Sequence, residues 1–218
     1  MNREDLAVYV VTDPVLAGER GVEAVSAAAL AAGIRILQFR DKTACTRRLV
    51  EQARSLAALA GRYGAVLVVN DRLDVALAAG AHGLHVGQDD LAAADARRLL
   101  GPGAILGVSV RTPHEARAAE VAGADYVAAN LVFSTDTKTD LDGPIGLEGV
   151  RALRASTALP LVAIGGITAT NAADVVAAGA DGVAVVSAVM AAPDVGAACR
   201  ALGRAVLAGR ARRSGGGG

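Results

Sequence analysis

Asn70 and Asp71 close one apolar run, Val66 to Val69, and Gln88, Asp89 and Asp90 follow the next, Gly83 to Val86. If these runs are neighbouring parallel strands, their carboxylates converge at one edge of a sheet. Carboxylate oxygens are hard ligands, and Mg2+ favours one or two of them together with water and substrate phosphate. Asp71 and Asp90 are therefore the candidate metal ligands. Each has a second reading, because a helical pattern follows Asp71 directly and the run Gly87–Leu91 also resembles a helix cap. Asp89 could replace Asp90, since periodicity does not separate adjacent residues.

Cations gather elsewhere. QFRDK (38–42) follows an apolar run, and strand alternation puts Gln38, Arg40 and Lys42 on one face while the chain stays extended. Arg40 offers a planar fork for phosphate oxygens and Lys42 a mobile point charge. The alternative is a solvated turn whose cations bond nearby acids. Ser109 ends another run, as an exposed hydroxyl or as the cap of a helix starting near Thr112. Ser134 to Asp140 has no apolar anchor. Such a loop could close over a ligand and bring Lys138 to a leaving group, or simply be surface. Gly165-Gly166 lets backbone N–H groups approach an anion, and Val186-Ser187 precedes a further helical turn, so together they form an expected phosphate site. Of the three histidines, only His85 lies in a strand, where a hydrogen-bonded core imidazole is the simpler reading. No Ser/His/Asp arrangement is visible, so the chemistry is that of anions held by cations and a metal.

What positions these residues is an alternation of strands and helices. Short apolar runs, as expected for parallel strands covered on both faces, occur at Ala7–Thr12, Ile34–Phe39, Ala65–Asn70, Gly83–Val86, Ile105–Val108, Asp125–Ala129, Leu159–Ile164 and Asp181–Val186. Ala- and Leu-rich segments such as Arg47–Tyr63, Ala92–Leu100, His114–Val121 and Thr170–Ala178 separate them. The pattern predicts an α/β fold, a single (β/α)8 TIM barrel over residues 1–210, with 211–218 (ARRSGGGG) as a disordered tail. An open doubly wound sheet is the competing architecture. A repeat supports the barrel: Gly33, Gly80, Gly123 and Gly179 each sit in an Ala-Gly step that ends a helix before an even-numbered strand. In such a barrel the site lies at the strand C-terminal ends, where the polar residues above fall.

Composition narrows the partners. Of 218 residues 53% are hydrophobic, enough for a large core, and 22 basic residues balance 22 acidic ones. That balance argues against nucleic acid and membrane surfaces and leaves small-molecule substrates; a homo-oligomer stays open. No apolar run is long enough to span a bilayer, and the charged start, MNRED, does not resemble a signal peptide. Cys45 and Cys199 have no metal-type spacing and read as reduced residues of a cytoplasmic protein.

Seven segments, QFRDK (38–42), VNDR (69–72), HVGQDD (85–90), GVSV (107–110), TDTK (135–138), IGGI (164–167) and VVS (185–187), resemble the thiamine-phosphate synthase family in order and spacing. The resemblance covers nearly the whole chain. It implies a transferase of thiamine biosynthesis that joins a pyrimidine methyl diphosphate to a thiazole phosphate, with Mg2+ assisting dissociative loss of diphosphate. On this chain it implies that Gln38, Phe39, Arg40, Asp41, Lys42, Asn70, Ser109 and Lys138 bind the pyrimidine diphosphate. Of these, Arg40, Lys42, Ser109 and Lys138 would be catalytic. Thr135, Asp136, Thr137, Gly166, Val186 and Ser187 would bind the thiazole phosphate, and Asp71 and Asp90, rather than Asp89, the metal.

Two departures stand out. The family usually has Gly-x-Gly-Pro after strand 6, where this chain has Ala128-Ala129-Asn130-Leu131; the change adds Cβ atoms and removes a rigid turn. It is the one feature favouring a non-catalytic paralogue that binds a thiamine precursor. Phe39, where Leu or Ile is usual, is expected to pack outward. A thiazole tautomerase-like enzyme, the other alternative, uses a His near the end of strand 6, where this chain has Asn130-Leu131.

Overall fold

Apolar runs bounded by Gly and Asp become strands, and Ala-rich helices return the chain to the same edge each time. The computed structural model describes residues 3–134 and 143–215. Its strands are β1 (Val8–Val11), β2 (Ile36–Phe39), β3 (Val66–Asn70), β4 (Gly83–Val86), β5 (Ile105–Val110), β6 (Tyr126–Asn130), β7 (Leu161–Ile164) and β8 (Gly182–Val185). Consecutive strands pair in parallel and β8 returns to β1, so the sheet closes into the expected (β/α)8 barrel. The helices are α1 (Pro14–Ala17), α2 (Gly21–Ala31), α3 (Thr46–Arg62), α4 (Leu73–Ala79), α5 (Ala93–Leu100), α6 (Pro113–Val121), α7 (Gly146–Ser156), α8 (Ala172–Ala177), α9 (Ser187–Met190) and α10 (Val195–Gly215).

Alternation divides each strand between two cores. Leu37, Phe39, Leu67, Val69, Leu84 and Val108 point outward, under the helices. Tyr9, Val11, Ile36, Val68, Tyr126, Val162 and Ala184 fill the barrel. The same period places Gln38, Asn70, His85, Ser109, Ala128 and Asn130 on the inner face, at the upper end of the lumen.

The quarter repeat is built into the lower rim. Gly33, Gly80, Gly123 and Gly179 have φ of 101°, 65°, 83° and 127°, a region open to Gly at little cost. Two residues after the last three glycines, His82, Asp125 and Asp181 accept the backbone N–H of Leu67, Leu106 and Leu161, at 3.1, 2.7 and 2.9 Å. The side chain before each of these even strands thus completes the odd strand that precedes it.

Most strand boundaries shift by one or two residues from the expectation, and three differences bear on the site or the fold. β7 starts at Leu161 rather than Leu159; Pro160 has no N–H for the ladder, and only its carbonyl is used, by Val127 N. β5 continues to Val110 because Ser109 and Val110 pair with Ala128 and Ala129 of β6, so Ser109 lies within a strand rather than after it. The segment 211–218, expected as a disordered tail, is helical as far as Gly215, in α10; residues 216–218 lie outside the described residues. Among the described residues no helix is long and apolar enough to cross a membrane.

Candidate active site

All eight strands open onto one cavity of about 680 Å3 at the C-terminal end of the barrel. β2 and the turn after it bring Gln38, Arg40 and Lys42 to this cavity, β3 brings Asn70 and Asp71, and the β4 end brings Asp89 and Asp90. Ser109, Gly166, Val186 and Ser187 line it from the other side. The expected site is therefore assembled except at three places. Phe39 points outward and is 2% exposed, in the layer under the helices. Asp41 turns back on its own loop, accepting from Thr43 N at 2.8 Å, Thr43 Oγ1 at 2.9 Å and Ala44 N at 3.1 Å. Partial burial pulls its pKa up, but those bonds prevail and hold it below the usual carboxylate range. Thr135, Asp136, Thr137 and Lys138 lie outside the described residues.

Local bonds explain why the upper rim takes this shape. Buried Thr12 pins Arg40 twice: its Oγ1 accepts from Arg40 N at 2.9 Å and donates to Arg40 O at 3.1 Å. Asp71 N donates to His85 O at 2.8 Å, extending the β3–β4 ladder by one rung. Asp71 has φ 60° and, among the described residues, is the one non-glycine with positive φ. Aspartate tolerates that region better than most side chains, and an outlier held by its surroundings is a mark of function.

The two candidate ligands face each other. Asp71 Oδ2 meets Lys42 Nζ at 2.5 Å, and Asp90 Oδ2 accepts Gly87 N–H at 2.7 Å. Partial burial first, and the adjoining Asp71 carboxyl second, push the Asp90 pKa up; Gly87 N–H and Lys42 oppose them. Neither aspartate is spent on a helix. α4 has Arg72 at its N-cap and α5 has Ala92, both without a side-chain cap bond, and Asp90 rather than Asp89 reaches Asp71. The capping reading of Ser109 fails in the same way, because Thr112 caps α6 with a reciprocal bond pattern to Glu115. Among the described residues no group of three or more His, Cys, Asp or Glu side chains is placed to hold a metal. A carboxylate pair with a lysine beside one of its members is still a donor set that suits a hard divalent cation.

Several contacts around the cavity escaped the sequence reading. Tyr9 and Tyr126 sit in the lumen with hydroxyls 2.8 Å apart. His85 is a hydrogen-bonded core imidazole as expected, contacting Tyr126 Oη and Ser109 Oγ, both at 2.9 Å. Gln88 Nε2 donates to Ser109 O at 2.6 Å. Arg111 reaches Asn130 O at 3.3 Å and Gly143 O at 2.8 Å, tying β5 to the exit of β6. For the tyrosines the available signal was strand parity: each occupies an inward position in a chain with only three tyrosines.

At the altered strand, Ala128 and Asn130 line the cavity and Leu131 lies against Gly165, where a Cβ would come 2.8 Å from Leu131 Cδ1. Gly165 and Gly166, at φ 105° and 61°, are thus required by conformation and by space.

A parallel barrel whose strand ends gather basic side chains, a carboxylate pair and a glycine step around one cavity is a (β/α)8 protein with a polar, small-molecule-sized site at the usual end of the fold. Residues 8–189 match the family described as thiamine monophosphate synthase. The chain is 51% identical over 205 residues to the thiamine-phosphate synthase of Moorella thermoacetica, covering 94% of this chain and 98% of that one. It is 53% identical over 206 residues to the thiamine-phosphate synthase of Xanthobacter autotrophicus, covering 94% and 98%. Thiamine phosphate pyrophosphorylase from Pyrococcus furiosus superposes with a TM-score of 0.86 at 41% identity, covering 95% of this chain and 98% of that one. The chain belongs to the thiamine monophosphate synthase family, and it is an enzyme, a transferase of thiamine biosynthesis.

Proposed function

We propose that the enzyme joins an aminopyrimidine methyl diphosphate to a thiazole phosphate, giving thiamine monophosphate and diphosphate. One observation carries the reading: Arg40, Lys42, Asp71 and Asp90 meet in a single cavity with Gln38, Asn70 and Ser109. Arg40 and Lys42 would bind the diphosphate, with Lys138 as a third cation. Gln38, Asn70 and Ser109 would orient the pyrimidine. Gly166, Val186 and Ser187, with Thr135, Asp136 and Thr137, would hold the thiazole phosphate.

The reaction breaks the bond from the methylene carbon to the diphosphate oxygen, and the bonding pair leaves with diphosphate. The lone pair of the thiazole nitrogen then closes the new C–N bond. In a dissociative course the barrier lies in separating charge, so the cations around the leaving group matter more than a positioned base. Asp71 and Asp90 would hold Mg2+, which when bound neutralises diphosphate oxygens as a Lewis acid. Lys42, now on Asp71, would move onto the diphosphate when a metal takes that carboxylate. A cytoplasmic setting belongs to the same proposal, since the substrates are charged metabolites and Cys45 and Cys199 are unpaired.

Incubation with both substrates and Mg2+ tests it. Thiamine monophosphate and diphosphate should appear in equal amounts, and chelation of Mg2+ should stop both. Binding of both substrates without product would overturn the proposal in favour of a non-catalytic paralogue.

A further inference from the structure

Five polar side chains form one unbroken hydrogen-bonded line across the lumen, at the floor of the cavity. Gln38 Nε2 donates to Tyr9 Oη at 2.8 Å, and Tyr9 Oη lies 2.8 Å from Tyr126 Oη. Tyr126 Oη lies 2.9 Å from His85 Nδ1, and His85 Nε2 lies 2.9 Å from Ser109 Oγ. The line joins β2, β1, β6, β4 and β5, so it crosses the barrel rather than following its ladder. Space for it is made at Gly107, where a Cβ would come 2.1 Å from Tyr126 Cζ and 2.5 Å from His85 Nδ1.

The line has a direction. Burial is the main cause that raises the pKa of both Tyr9 and Tyr126, so both phenols keep their protons. Each then has one proton to give. Tyr9 Oη accepts from Gln38 Nε2, and among the described residues Tyr126 Oη is the acceptor in reach of the proton of this buried phenol, so Tyr9 donates to Tyr126 and Tyr126 to His85 Nδ1. A neutral imidazole that accepts at Nδ1 carries its proton on Nε2 and gives it to Ser109 Oγ. Two groups are left over at the ends: the Ser109 proton and the Gln38 carbonyl oxygen. Both residues line the cavity.

We propose that the line is polarised from Gln38 to Ser109, and that Tyr9, Tyr126 and His85 are positioning residues that present Ser109 Oγ–H to the substrate as a donor and Gln38 Oε1 as an acceptor. The substrate atom facing Ser109 is then an acceptor, and the one facing Gln38 carries a proton. The role in substrate binding rests on the synthase reading above; the polarity does not.

Two measurements separate the ideas. Tautomer-sensitive 15N NMR of the imidazoles in the full-length, ligand-free protein needs no turnover, with His82→Gln and His114→Gln resolving the three histidines. The proton is expected on His85 Nε2, and finding it on Nδ1 overturns the polarity. For the positioning role, Tyr126→Phe is expected to lower kcat/KM for the pyrimidine substrate about tenfold with KM for the thiazole phosphate unchanged. In a Ser109→Ala background the same change should cost nothing further, because the line then has no donor left to aim. Unchanged kcat/KM for Tyr126→Phe, or equal losses in both backgrounds, would overturn the role. Should Tyr126→Phe fail to fold, His85→Phe cuts the line next to Ser109, leaves the Gln38–Tyr9 bond in place and reads the same cycle. A wild-type protein that makes no product would defeat the synthase reading, while the NMR result would still decide the polarity.

Discussion

Asp181 at the lower rim of the barrel and Asp71 at the upper rim are both strand-edge aspartates with a basic partner, but their surroundings differ. Asp181 is 3% exposed and accepts Leu161 N–H at 2.9 Å, Arg154 Nη1 at 3.1 Å and Arg3 Nη1 at 3.3 Å. Asp125 repeats the design with Leu106 N–H and Arg97, whose other donors end on the carbonyls of Gly101, Ala104 and Gly123. At the upper rim Asp71 sits in a left-handed backbone conformation against both Lys42 and a second carboxyl, Asp90. Charges committed to the backbone belong to the fold. Charges set against their like mark the candidate ligand site.

The largest effect that would test this contrast is on stability. Asp181→Ala strands the Leu161 N–H and leaves Arg154 beside other arginines, so it should cost about 3–5 kcal/mol in denaturant unfolding. The protein that remains folded should keep kcat/KM within about twofold, since Asp181 is at the far end of the barrel. A large loss of kcat/KM without loss of stability would break the contrast from below.

Asp71→Asn makes the reverse prediction. Asparagine accepts the left-handed conformation as aspartate does, so stability should change by less than about 1 kcal/mol. Turnover should fall on the order of 10²–10³-fold, as for loss of a main electrostatic contact to a leaving group. Unchanged Mg2+ dependence in this variant would remove Asp71 from the proposed metal site.

A smaller effect is a pH slope confined to the upper rim. The Asp90 carboxyl titrates above its ordinary value in the metal-free fold. Between the unfolded and folded values the folded chain holds a proton that the unfolded chain has lost. Its contribution to stability is therefore largest at acidic pH and falls as pH rises through that window. Thermal unfolding of the metal-free protein should show this decline, modest because Asp90 is exposed, and Asp90→Asn should flatten it. A slope that survives the substitution would assign it to another group.

Much of this was legible in the residues because two periodicities coincide. The apolar runs fixed the strands, and the Ala-Gly steps before even strands marked quarters that the structure realises with left-handed glycines and the His82, Asp125 and Asp181 bonds. Parity put Gln38 and Arg40 on one face of their strand, and Phe39 was expected to pack outward. It did not give the choice between Asp89 and Asp90, which depends on how the loop after β4 folds onto Gly87 N–H. Nor did it give the line from Gln38 to Ser109, since bonds that cross a barrel join strands distant in sequence and leave no local pattern. Asp41 shows the limit of parity: once the chain turns after Arg40, its carboxylate caps its own loop.

The smallest expected effect concerns β6, where Ala128, Asn130 and Leu131 stand where the resemblance to the family predicts Gly, Gly and Pro. The exit of this strand is secured without a proline. Val132 N donates to Ile164 O at 2.9 Å, Ile145 N to Leu131 O at 2.9 Å and Gly146 N to Val132 O at 3.0 Å, while Arg111 holds Asn130 O. The turn that the substitutions would loosen is thus fixed by backbone bonds, and the added Cβ of Ala128 fills one corner of a wide cavity. Ala128→Gly should therefore change KM for the thiazole phosphate by less than about threefold and destabilise the strand by about 0.5–1 kcal/mol. A tenfold gain in kcat/KM would instead show that β6 restricts the site, and would move the specificity of this enzyme from the charged strand ends to an apolar one.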